Sequence, residues 1–152
     1  MSVADRLKEL GVTLPEAVTP LAVYRPVTRA GNLLFLAGQV PLKDGTVLHP
    51  GRLGEDVTVE QGYEAARQCA INALAAVQAF LGTLEGIRLV KTTGFVASAP
   101  GFIQHPQVVN GASEFLRDVF GEQDGIGART AIGVAMLPAN SPVEVELVME
   151  VR

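Results

Sequence analysis

The sequence is poor in the residues that build covalent and metal staples. Of its 152 residues one is cysteine, Cys69, and two are histidine, His49 and His105. A single thiol closes no intrachain disulfide, and a multi-cysteine zinc site cannot be assembled within one chain. HExxH, CxxC and any close histidine pair are also missing, so no metal centre is expected. Long apolar runs are absent too. Stretches such as residues 33–37 fall far short of the roughly 18–20 residues that cross a bilayer. Residues 1–10 mix Asp5, Arg6, Lys8 and Glu9 with apolar residues and lack the basic start and apolar core of a secretory leader, so the expected location is the cytoplasm. Nor is there a basic excess: 12 Lys and Arg against 16 Asp and Glu give a net charge of −4. That balance disfavours nucleic acid as a partner, because phosphate binding is driven by counterion release around clustered cations.

Generic catalytic motifs are equally scarce. The chain has no GxxxxGK[ST] phosphate loop and no GxSxG nucleophile elbow, and residues 121–127 (GEQDGIG) lack the strand-then-helix context of a glycine fingerprint. A serine or cysteine nucleophile needs a histidine base, yet His49 falls on a loop and His105 at a helix start, each read as solvated.

What remains is a foldable chain of one-domain length, with 48% hydrophobic and 18% charged residues. Ser2 caps a short helix that Gly11 ends, and the proline-marked stretch after it reads as a linker, so residues 1–21 form an arm and residues 22–152 the domain. Residues 22–30 and 33–38 read as a hairpin turning at Gly31-Asn32, the second run apolar at both parities and so covered on both faces. Residues 43–55 read as an irregular loop holding at most one brief strand. Thr58 and Gln61 have capping-box spacing, and Ala66, Ala70, Ala73, Leu74, Val77 and Leu81 follow at helical steps until Gly82. Cys69 sits in that helix as a small buried hydrophobe. Residues 87–98 read as a strand, and residues 106–120 as a second long helix ending before Gly121. Residues 129–137 and 143–151 are the last strands, and in the latter Val143, Val145, Leu147, Met149 and Val151 share one face. The economical packing is an α+β fold, one mixed sheet with two helices on one face. Its other face would be left apolar, which predicts self-association.

One constellation near the C-terminus can carry chemistry. Arg129 opens one strand and Glu144 lies near the start of the next. If these strands are neighbours, or meet across a subunit interface, a permanent cation and a carboxylate face one small cavity. Guanidinium binds a carboxylate at two points, and a carboxylate can orient or deprotonate water. The competing reading is an ordinary surface ion pair.

These residues carry a resemblance. Tyr24, the run Gly31-Asn32 through Gly38-Gln39-Val40-Pro41, Asn110, and the Ala-Arg, Leu-Pro and Val-Glu-Val-Glu elements of the ending resemble the RidA/YjgF family of imine and enamine deaminases, formerly called L-PSP endoribonucleases. The resemblance implies a fold like chorismate mutase of the bacillus type, a homotrimer, and ligand clefts between subunits. It implies that Arg129 holds a substrate carboxylate and that Glu144 activates the attacking water. Tyr24 would wall the cleft with Asn110 nearby, and the backbone at Gly38 and Ala131 would approach the ligand. Neither metal nor organic cofactor is implied. Ala37 departs from the family where many active members have serine, and Ala131 where many have cysteine. Thr130 and Val145 are milder departures. Three functions follow for testing: hydrolysis of 2-imino or 2-enamino acids to 2-oxo acids and ammonia, non-catalytic trimeric binding of small carboxylates, and, weakest, ribonuclease action.

Overall fold

Thr58 and Gln61 start the longest helix as their spacing predicts. In the computed structural model, which describes all 152 residues, the Thr58 hydroxyl accepts from Gln61 N at 3.2 Å and Thr58 N donates to Gln61 Oε1 at 3.0 Å. This helix, α2 (Val59–Leu81), ends at Gly82, whose φ of 79° is left-handed. Its inward face is mostly small, with Ala65, Ala66, Cys69, Ala70 and Ala73 all fully buried. Small residues let backbones approach. A Cβ at Gly111 of α3 (His105–Gly125) would lie 2.8 Å from the Tyr63 carbonyl carbon, so the two long helices touch almost main chain to main chain there. At Gly121 the backbone turns to φ 84°, ψ 170°, so regular helix stops where expected, and a last turn follows.

These helices cover one face of a five-stranded sheet. In chain order its strands are β1 (Val27–Ala30), β2 (Leu33–Leu36), β5 (Ile87–Ala97), β6 (Ala128–Val134) and β7 (Val143–Val151), and in space they run β1-β2-β7-β5-β6. Only β5 and β6 pair in parallel, joined through α3. The helix-side residues of β7, Val143, Val145, Leu147 and Met149, are at most 1% exposed and belong to a core cluster of 31 residues. Each such side chain contributes about 1.5–3 kcal/mol on burial.

Several expectations need correcting. The helical layer on the sheet holds three helices, not two, because the short helix expected in the arm packs into it. The short α1 (Val3–Glu9) joins the helical layer, burying Val3 and Leu7 while Arg6 Nη1 donates to the Val119 carbonyl at 3.1 Å. Strand β1 begins at Val27, not at residue 22, because Pro26 has no N–H for a ladder and the preceding Leu21 and Val23 are fully exposed. Strand β6 stops at Val134, short of 137. In the loop after residue 41, β3 (Leu42–Lys43) and β4 (Thr46–Val47) form a two-stranded ribbon. Its turn, Asp44-Gly45, has positive φ at both residues, the geometry that matches strand twist. Finally, β2 is covered on one face only. Leu34 and Leu36 are buried, but Phe35 is 45% exposed on the open face.

Candidate functional site

Strand register decides what each candidate side chain can reach. Arg129 is paired with Thr92 and Glu144 with Phe95, both on β5. Strands β6 and β7 are therefore not neighbours, since β5 lies between them. Alternation along β5 places Thr92 toward the helices and Phe95 toward the open face, so Arg129 and Glu144 leave opposite faces of the sheet. Two strand spacings, about 10 Å, and three residues of rise, about another 10 Å, separate their backbones as well. A surface ion pair between them is excluded, and so is a shared cavity within one chain.

Each residue instead anchors its own half-site. Glu144 stands over Gly38, where a Cβ would come within 2.9 Å of the carboxyl carbon, so the absence of a side chain there is what admits the carboxylate. It forms no hydrogen bond or ion pair through its side chain. Partial burial, and then the neighbouring charge of Glu146, push its pKa above the ordinary carboxylate value. Glu144 and Gly38 share a cavity of about 570 Å³ with Tyr24, Ala37 and Val40. Leu21, Ala22 and Tyr24, exposed in the single chain, form its outer wall.

The second half-site lies at the sheet's outer edge. Arg129 Nη1 donates to Asn110 Oδ1 at 2.7 Å and to Ser113 Oγ at 3.3 Å, both on α3. Asn110 and Ser113 are three residues apart and so share a helix face. No carboxylate pairs with Arg129, so its Nε and Nη2 keep two donors and a full charge for a ligand. Ala131, two residues on, lies on the same side of β6 in register with Gly94. The structure thus groups Tyr24, Gly38 and Glu144 in one place and Asn110, Ser113, Arg129 and Ala131 in another.

Sequence reasoning missed Ser113, although its i+3 spacing from Asn110 was the available signal. It also missed partners for both histidines. His49 Nε2 lies 2.8 Å from Glu64 Oε2, and His105 Nε2 3.0 Å from Ser98 Oγ. Ser98 gives its hydroxyl proton to the Val96 carbonyl at 2.7 Å, so His105 donates to it and the pair is not an activated nucleophile. Cys69 is fully buried, its thiol pushed up by desolvation, as its inert reading requires. No group of three or more His, Cys, Asp and Glu side chains could hold a metal, and no helix is long and apolar enough to cross a membrane.

A mixed sheet under two long helices, with an unpaired arginine on its edge strand and an unpaired glutamate on its open face, defines a chorismate-mutase-like α+β protein. Residues 4–151 match the family model described as YjgF/chorismate mutase-like, which also carries an endoribonuclease label. The chain belongs to the RidA/YjgF family. It is 41% identical to Protein TCP17 of Trypanosoma cruzi over 99% of this chain and 94% of that one. The crystal structure of the protein Atu1372 from Agrobacterium tumefaciens superposes with a TM-score of 0.92 at 45% identity, covering 99% of this chain and 92% of that one. A 2-iminobutanoate/2-iminopropanoate deaminase of Dermatophagoides farinae is 25% identical over 93% of this chain and 95% of its own length.

Proposed function

We propose that the protein hydrolyses reactive 2-imino and 2-enamino acids to 2-oxo acids and ammonia, in clefts assembled between copies in a homotrimer. The observation that carries this reading is the split site. An unpaired arginine and an unpaired carboxylate of raised pKa leave opposite faces of one sheet, so only a second copy brings them together. The exposed Phe35 and Ile132 on the open face, and the bare Leu21 and Val23, supply apolar surface for that contact.

In the assembled cleft Arg129 holds the substrate carboxylate with two parallel N–H donors. Glu144 of a neighbouring copy takes a proton from water as the water oxygen bonds to the imine carbon. The resulting carbinolamine collapses as the C–N bond breaks. Glu144 delivers the first proton to the imine nitrogen as the carbinolamine forms and relays the hydroxyl proton to the same nitrogen as the C–N bond breaks, so both protons of the water leave in ammonia and a 2-oxo acid remains. A raised pKa suits a base that later returns its proton. The imine carbon is already electrophilic, so positioning and charge stabilisation suffice.

A second reading is a trimeric binder of small carboxylates without turnover, favoured by one observation. Ala37 lines the Glu144 cavity and offers no hydroxyl there. The endoribonuclease label finds less support, because the net charge is −4 and the two histidines are engaged on separate elements. The deciding experiment generates iminopropanoate and iminobutanoate in situ, traps surviving imine with semicarbazide, and compares wild type with Glu144→Gln. Loss of trapped imine with wild type but not with the variant supports hydrolysis. Binding of 2-oxo acids by both proteins without any effect on trapping supports the binder.

A further inference from the structure

The arm borders an open cavity that contains neither Arg129 nor Glu144. Helix α2 carries two buried polar residues one turn apart, Gln68 at 9% and Asn72 at 7% exposure. Asn72 Nδ2 donates to the carbonyls of Val40 at 3.0 Å and Leu42 at 2.9 Å, which fixes its Oδ1 as an acceptor. Gln68 Nε2 donates to that oxygen at 2.9 Å. The network therefore fixes the orientation of the Gln68 amide and leaves its Oε1 without a protein partner. That oxygen is open to the adjoining cavity, so an amide acceptor of fixed orientation is offered to a ligand's donor there.

That cavity, about 390 Å³, lies between residues 11–15 of the arm, α2 and the β3–β4 ribbon. Its volume falls within the range of roughly 300–1,000 Å³ usual for small-molecule sites. Two cations line it. Lys43 pairs with no carboxylate, and the Arg67 guanidinium is held 5.1 Å from the Phe115 ring centroid, also without a carboxylate. Asp44, on the turn of the ribbon, is an unpaired anion on the same wall, and Leu14, Leu42 and Ile71 supply apolar surface. Free charges of both signs, a donor-seeking carbonyl and an apolar wall meet in one place.

We propose that this cavity binds a free L-α-amino acid with an apolar side chain. Arg67 and Lys43 take the carboxylate, Asp44 and Gln68 Oε1 take the ammonium, and the side chain lies against Leu14, Leu42 and Ile71. A 2-oxo acid satisfies the cations but offers nothing to Asp44 or Gln68, so this site discriminates against the ligand class assigned to Arg129. Occupancy fixes the arm, whose residues 11–15 form one wall. The inference stands whether or not the protein hydrolyses imines.

L-leucine is the probe, followed by calorimetry on the full-length wild-type protein and by hydrogen exchange of the arm. Saturable binding is expected, with slower exchange in residues 11–18. The double substitution Lys43→Gln with Arg67→Gln should weaken that binding by about tenfold or more, as should Gln68→Met, because each removes hydrogen bonds to a charged group. N-acetyl-leucine and leucinamide, each lacking one charge, should bind more weakly than leucine. The first two substitutions lie outside the core, so that variant stays informative if Gln68→Met fails to fold. Arg129→Lys should bind leucine like wild type. No saturable binding, full binding by the Lys43 and Arg67 double variant, or binding lost in Arg129→Lys would each overturn the proposal, the last by placing leucine at the other site.

Discussion

The two faces of the sheet differ sharply in what they expose. On the helix side Val143, Val145, Leu147 and Met149 are sealed to 1% exposure or less, whereas the open side, which carries Glu144 and Glu146, leaves Phe35 and Ile132 45% and 43% exposed. A single strand, β7, serves both sides through its alternation of side chains. Stability therefore resides in one parity of β7 residues and the proposed chemistry in the other, so substitutions one position apart should have different consequences.

The largest effect is expected on the sealed side. Leu147→Ala should destabilise the chain by about 2–5 kcal/mol, as lost transfer energy plus a cavity. Glu146→Gln, next along the strand, should stay within about 0.5 kcal/mol. Urea titration of both variants tests the contrast, and equal losses would break it. Next in size is Gly38→Ala. Its Cβ displaces a flexible carboxylate, not backbone, so the protein should fold normally while imine hydrolysis falls by about 10²-fold through misplacement of Glu144. Retained hydrolysis in the semicarbazide assay would detach Glu144 from the reaction. Smaller again is Arg129→Lys. An ammonium keeps the charge but loses the planar two-point contact, so 2-oxo acid affinity should drop by about tenfold in calorimetry.

The smallest effect is a pH dependence. The Glu144 pKa is raised above 4.5 in the folded chain, so between these two values the folded state holds more protons than the unfolded one. Stability then falls as pH rises through that window, and Glu144→Gln removes this dependence. The variant should gain on wild type as pH rises from about 4 toward neutrality, without a gap at lower pH, by thermal unfolding across the series. Catalysis runs the other way. Hydrolysis should decline as acid protonates Glu144 through its raised pKa, because the base must be ionised.

Local structure was legible where local chemistry fixes it. Thr58 and Gln61, the alanine stripe and Gly82 mark α2 within its own sequence, and the alternation of β7 separates its faces. What escaped was non-local. The separation of 15 positions between Arg129 and Glu144 suggests adjacent strands, yet β5 enters between them through a parallel pairing that leaves no local trace. His105 and Ser98 are only seven positions apart, but the turn between β5 and α3 that brings them together has no periodic signal in the sequence. Tyr24 looks strand-like by composition, but Pro26 ends the ladder before it.

The central claim is that Arg129 of one copy works with Glu144 of another, and mixing two inactive variants tests it most directly. Arg129→Met and Glu144→Gln, each inactive alone, are co-refolded in equal amounts and assayed by semicarbazide trapping. In a trimer with three equivalent interfaces, half of the clefts draw an intact arginine and half an intact glutamate, so 1/2 × 1/2, or about one quarter, of wild-type activity should return. Mixed trimers, verified by mass, that show no activity while wild type hydrolyses imines would contradict a site shared between copies.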